Sequence, residues 1–186
     1  MPTAIIRPTS TTSQTGWSVS NIHTVLSDEN DSTGATQNNQ TCNFTGVLAD
    51  LDSGLSGATI NSFTISLIGG AGRGGASTVA MSLVHSSDGA FAAENESFTG
   101  SKSTQTTSAR TTQQDGSSAL TFAYINNCSV KIDPNTQGIT AFELFVTVDY
   151  TAAASGYGND VNSVASGNIG KIDGVSTANI EKVIGV

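Results

Sequence analysis

The chain contains few side chains from which catalytic or metal chemistry could be built. There are two cysteines and two histidines, and neither pair has ligand spacing. Cys42 and Cys128 form no C-x-x-C unit, so no zinc site is written into the sequence. Each sits in an alternating stretch, Cys42 two before Phe44, and Cys128 two before Val130 and four before Ile132. They read as two small buried hydrophobes on strands rather than as a disulfide. His23 and His85 are far in sequence from each other and from either thiol. Asp28, Glu29 and Asp31, with Asn30 and Ser32, offer the hard oxygen donors that calcium takes. The run D-E-N-D-S lacks the EF-hand spacing and its closing Glu, and it is expected to be a solvated polar loop. No G-x-S-x-G elbow and no distinctive carboxylate pair is present. The expectation is a protein that is not an enzyme, with no catalytic residue, no cofactor and no metal.

One stretch does match a phosphate-binding pattern. Gly70-Ala-Gly72-Arg-Gly-Gly75 fits G-x-G-x-x-G and follows a strand-like run. Dinucleotide binding requires a helix after the glycines, because the helix N-terminus holds the pyrophosphate. ASTVAMSLV follows instead and alternates like a strand, so a hairpin loop at a sheet edge is expected. Glycosylation sequons at Asn30, Asn39, Asn43, Asn95 and Asn127 are the number that a chain so rich in Ser, Thr and Asn generates without selection.

The elements that would position these residues are strands. FELFVTVDY, from Phe142, places Phe142, Leu144, Val146, Val148 and Tyr150 on one face and Glu143, Phe145, Thr147 and Asp149 on the other. That is the period of two of a half-buried strand. INSFTISLI points Phe63, Ile65 and Leu67 inward, and STVAMSLVH does the same with Val79, Met81 and Leu83. LTFAYI (Leu120 to Ile125) and CSVKI (Cys128 to Ile132) complete the set, with Trp17, Val19 and the Ile-Ile-Arg run supplying first strands. Turn signals at Asp52-Ser53-Gly54, Ser87-Asp88-Gly89, Asp115-Gly116 and Asp133-Pro134-Asn135 separate these stretches. No convincing amphipathic helix is written. The pattern predicts an all-β fold, a jelly-roll-like β-sandwich of about eight antiparallel strands over residues 1–152. Polar loops at 27–40 and 99–115 are expected to project from its ends and to carry any functional face.

Composition narrows the partners. Charged residues are 12% of the 186, against roughly 25% in ordinary soluble proteins. Solubility therefore falls to Ser, Thr, Asn and Gln. The net charge of −8 opposes attraction to phosphate backbones, and the seven basic residues are scattered, so nucleic acid is not an expected partner. The apolar run Ala4 to Ile6 is far shorter than the roughly 20 residues of a spanning helix, so a membrane is not expected either.

Residues 153–163 are a small-residue linker, and the alternation stops there. Residues 164–186 repeat with a period of 11 residues: Val164 aligns with Val175, Asn168 with Asn179, Ile169 with Ile180, Lys171 with Lys182, Ile172 with Val183 and Gly174 with Gly185. The apolar positions step by five, three and three, which suits neither a continuous helix nor a plain strand. Gly and Asn at fixed places suggest a turn followed by a short extended piece, twice. A segment with so much β-branched surface is expected to dock on something, through Ile169, Ile172, Val175, Ile180, Val183 and Val186.

This tail, N-I-G-K-I-D-G-V followed by S-T-A-N-I-E-K-V-I-G-V, resembles C-terminal segments of virion structural proteins from tailed bacteriophages, particularly marine and cyanobacterial ones. The Arg-Pro at the end of the first segment, Gly16-Trp17 and the closing FELFVTVDY are similar to small phage β-sandwich modules. The resemblance implies a structural role. Its best fit is a capsid decoration or cement protein on the outer surface of the capsid, bridging the major capsid protein or other virion subunits as a homo-oligomer, with a trimer favoured. The alternative it leaves open is a tail or fibre component that recognises host-surface glycans.

Overall fold

In the computed structural model, described residues are 1–38, 41–72, 75–135, 138–153, 171–172 and 175–176. They fall into two units, Met1–Thr151 and Ala152–Val186. The first unit contains β1 (Thr3–Ile6), β2 (Pro8–Thr15), α1 (Ile22–Leu26), β3 (Ala35–Thr36), β4 (Asn43–Leu48), β5 (Thr59–Ala71), β6 (Ser77–His85), β7 (Gly89–Ala90), β8 (Glu94–Phe98), β9 (Ser103–Thr106), α2 (Phe122–Asn126), β10 (Cys128–Pro134) and β11 (Ile139–Thr151). The second contains β12 (Lys171–Ile172) and β13 (Val175–Ser176).

The first unit is an all-β sandwich of two antiparallel sheets. One sheet runs β1-β11-β5-β9, with β3 also on β11; the other runs β2-β4-β10-β6-β7, with β8 also on β6. Long strands form its centre because their sequences alternate. Leu144, Val146 and Val148 of β11 and Phe63, Ile65 and Leu67 of β5 face Val79, Met81 and Leu83 of β6 and Val130 and Ile132 of β10 across a single core. Cys42 and Cys128 are both free and buried, filling that core as small apolar groups.

Several expectations are corrected. LTFAYI is not a strand: Phe122–Asn126 is a helix. The Thr121 hydroxyl accepts the Tyr124 N–H at 3.1 Å, an N-cap, and the buried residues Leu120, Tyr124 and Ile125 fall at one-turn spacing. The reverse error occurs at β2, whose sequence PTSTTSQT carries no apolar alternation because β2 is an edge strand, paired only with β4 and mostly exposed. Trp17 forms only an isolated bridge to Gln37, and its indole N–H donates to the Asn43 carbonyl at 2.9 Å. The stretches 27–40 and 99–115 are not simple projecting loops, since β3 and β9 tie each of them to the β1-β11-β5-β9 sheet.

The glycine stretch is not a hairpin. β5 and β6 belong to different sheets, so the connection crosses the sandwich, and Gly75 takes its left-handed turn with φ of 115°, which only glycine adopts without strain. Phe142 also departs from expectation. The pairing of β11 with β5 slips between Ala141 and Glu143, so Ile139 and Ala141 point inward before the slip and Leu144 after it. The slip turns Phe142 out of the core and leaves it half-buried at the surface.

Candidate functional site

Catalytic geometry is testable at the histidines. His85 is buried and stacks on Tyr124, with ring centroids 3.9 Å apart and planes 3° from parallel. Its Nδ1 lies 3.2 Å from the Ser87 hydroxyl and 3.3 Å from an Asp88 carboxylate oxygen. A Ser-His-Asp relay needs nucleophile and carboxylate on opposite ring nitrogens. Here both meet the same nitrogen, which also faces the Ser87 and Asp88 N–H groups at 3.4 Å. The ring closes the turn between β6 and β7. His23 Nδ1 meets the Thr11 hydroxyl at 2.8 Å, so it pairs with a side chain that carries no charge.

The thiols are equally unreactive by environment. Burial, with a smaller contribution from Asp133, pushes Cys42 up to about 12. Burial and the Asp88 charge do the same to Cys128, also to about 12, whose thiol donates to the Tyr124 carbonyl at 3.3 Å. A thiol held protonated is neither a nucleophile nor a metal ligand.

In the acidic loop, the carboxylates are already engaged. Asp28 accepts the Asn30 N–H and the Thr33 hydroxyl, Glu29 pairs with Arg7 at 3.3 Å, and Asp31 pairs with Lys102 at 2.7 Å. Among the described residues no cluster of three or more His, Cys, Asp or Glu is arranged to hold a metal ion.

Two hollows remain. The smaller, about 10 Å³, lies between the sheets against Phe63, Met81 and Phe91 and has room for one water at most. The Glu94–Arg110 pair lines it at 2.8 Å. Burial alone would raise the Glu94 carboxyl, but the Ser108 N–H and the Arg110 guanidinium outweigh it and hold the group below its usual range. The larger hollow is a surface depression of about 180 Å³ lined by Gly70, Ala71, Gly72, Gly100, Lys102, Thr140 and Phe142. The β11 slip supplies Phe142, and the Lys102 ammonium stands 5.3 Å from the centre of its ring. Two N–H groups of this floor are not free for a phosphate. The Ala71 N–H is spent on the Thr99 carbonyl at 2.8 Å, and the Gly72 N–H on the Gly138 carbonyl.

Of the six residues expected to form a docking tail, Ile169, Ile180, Val183 and Val186 lie outside the described residues. Ile172 and Val175 are Cα partners in the antiparallel pairing of β12 with β13. The Asp-Gly between the two strands is a strong short hairpin signal, and it was readable in the first copy of the repeat. No family model, curated protein or solved structure matches the chain.

Proposed function

We propose that this protein is a non-enzymatic structural component of a virion that decorates or cements the outer capsid surface. In this reading it bridges neighbouring capsomers as a homo-oligomer, most simply a trimer, with the major capsid protein as its main partner. The observation that carries the reading is the β12–β13 pairing, two residues on each strand, which joins the end of the first copy of the repeated tail to the start of the second. A lone two-stranded hairpin is marginal in water, so such an element gains order when a partner supplies further strand or apolar surface. Many copies on a lattice then turn weak contacts into firm attachment. The resemblance of the tail to phage virion segments supports the same reading.

The sandwich suits it too. We read its strand order as a jelly roll, with β1-β11-β5-β9 facing β4-β10-β6-β8 and with β2, β3 and β7 added at the margins.

Truncation after Ala154 tests the proposal. All the buried hydrophobic residues among those described lie from Ile6 to Val148, so the truncated chain is expected to melt as the full chain does while losing self-association in sedimentation and binding to capsids. Ile172→Asp with Val175→Asp in the full chain should do the same. Undiminished assembly of both variants would sink the reading. A second reading, a tail or fibre component that recognises host glycans, is favoured by the surface depression. Gold-labelled antibody on virions separates them: label over the head supports decoration, and label confined to the tail supports the second.

A further inference from the structure

We propose that the depression beside Phe142 is a binding site for a neutral sugar ring. The inference stands apart from the assembly reading, because every residue it uses lies in the sandwich.

The first argument is shape. The volume, about 180 Å³, is that of one small ring rather than of a dinucleotide or a peptide. The floor is closely packed backbone that glycine permits. A Cβ on Gly70 would come within 3.3 Å of the Lys102 backbone nitrogen, and one on Gly72 within 2.8 Å of the Gly138 carbonyl oxygen. At Gly100 nothing lies within 4 Å of where a side chain would begin, so the rim there is open to solvent.

The second argument is the wall. A strand following its own alternation would have buried Phe142. The slip between Ala141 and Glu143 instead presents the ring at the surface, at the cost of an interrupted ladder. Bulges of this kind re-aim side chains beside functional sites. An aromatic ring next to glycine backbone offers the apolar patch on which the C–H face of a sugar packs.

The third argument is charge. Lys102 gives two of its three donors to Asp31, at 3.0 Å to the carbonyl and 2.7 Å to the carboxylate. The cation is neutralised where it stands, and its third N–H remains for a hydroxyl. Thr140 adds a hydroxyl, 3.1 Å from that of Thr36. With the Ala71 and Gly72 N–H groups already bonded and Lys102 paired with Asp31, no described residue of the lining offers an anion an unpaired cation. A polyol meets paired donors and acceptors on one side and carbon on the other, the mixture that fixes a neutral ligand.

The test uses the full chain, isotope-labelled, titrated with glucose, galactose, mannose, N-acetylglucosamine and short oligosaccharides of each, with inorganic phosphate as the anion arm. Saturable amide shifts confined to Gly70, Gly100, Lys102 and Thr140 are expected with at least one neutral sugar. Tighter binding of the oligosaccharide than of its monomer assigns the source to a polysaccharide, and equal binding assigns it to free sugar. Gly100→Trp sets a bulky side chain on the rim, at a position where a Cβ meets nothing within 4 Å, and Phe142→Ala removes the wall. Each should weaken binding at least tenfold, with the Gly100→Trp melting temperature unchanged. No saturable shift with any neutral sugar, shifts driven by phosphate alone, or full affinity in Gly100→Trp would overturn the proposal.

Discussion

Raising the pH should unfold this protein through its two thiols. Burial lifts both Cys42 and Cys128 from an ordinary value of 9.0 to about 12, and both are only 2% exposed. In the unfolded chain they ionise near the ordinary value, whereas in the folded chain they stay protonated. The folded state therefore holds the protons more tightly. The stability this confers is complete below about pH 9 and is lost as pH climbs towards 12, at about 1.4 kcal/mol per pH unit for each thiol. Between about pH 9 and 11 the loss is about 2 kcal/mol per thiol, or about 4 kcal/mol for the pair. That is a large share of the 5–15 kcal/mol that typically holds a domain together. Urea unfolding midpoints measured in half-unit steps of pH, for the native chain and for a Cys42→Ala, Cys128→Ala variant, isolate the effect. Groups away from the thiols cancel between the two proteins, whereas Tyr124, whose phenol is raised mainly by burial and in small part by Cys128, loses that last part in the variant. The variant should start less stable because of the small cavities it creates, and its stability should fall less steeply above pH 9, so the two curves converge. Parallel curves would refute the reasoning, showing that the folded thiols meet water or a compensating charge.

Two further perturbations probe the scaffold. Gly46 faces the core of β4, where a Cβ would collide with the Phe44 ring and come within 2.9 Å of the Ser10 carbonyl oxygen; Gly46→Val should cost about 1–3 kcal/mol by overpacking, read as a lowered urea midpoint at unchanged slope. Thr121→Ala removes the hydroxyl that accepts the Tyr124 N–H and should cost about 1 kcal/mol, while Thr121→Ser, which keeps the acceptor, should restore most of it; equal losses in the two variants would show that the methyl group, and not the cap, is what matters.

What the sequence revealed of the fold follows from how each strand is buried. β5, β6 and β10 pack one face on the core and turn the other to water, so they alternate and are legible. β2 is polar along its length because it lies at an edge, and nothing in PTSTTSQT distinguishes it from a loop. α2 is a single turn of helix, too short for a period of 3.6 to declare itself, and Leu120-Thr-Phe-Ala-Tyr-Ile imitates a strand through its aromatic and β-branched content. The β11 slip is invisible for a different reason. Alternation through Phe142 is intact in the sequence, and only the pairing with β5 reveals that one residue is extra. The depression was illegible because it gathers residues from three separate stretches of chain, around 70, 101 and 141. The one part the sequence does single out, Gly70 to Gly75, carries a phosphate pattern of which the Ala71 and Gly72 N–H groups are spent on backbone carbonyls.

The division of labour between the two units follows from where apolar surface is satisfied. Within the described residues the sandwich completes its own core between Ile6 and Val148, drawing on strands from both sheets and on the turns of helix at Ile22–Leu26 and Phe122–Asn126. Its outer faces are mostly Ser, Thr and short polar side chains, with Ile5 and Val47 the large hydrophobics left exposed beside Met1. Under the proposed reading, attachment to the capsid therefore falls to the tail. The tail repeats a β-branched pattern twice within 23 residues and pairs Ile172 of the first copy with Val175 of the second. A repeat of this kind can engage two equivalent positions on one partner, or one position on each of two. Either arrangement gives an intramolecular second contact, whose strength rises with effective concentration rather than with area. Under the proposed reading, deleting one copy of the repeat should weaken attachment far more than half, because what is lost is the linkage between two contacts and not only one of them.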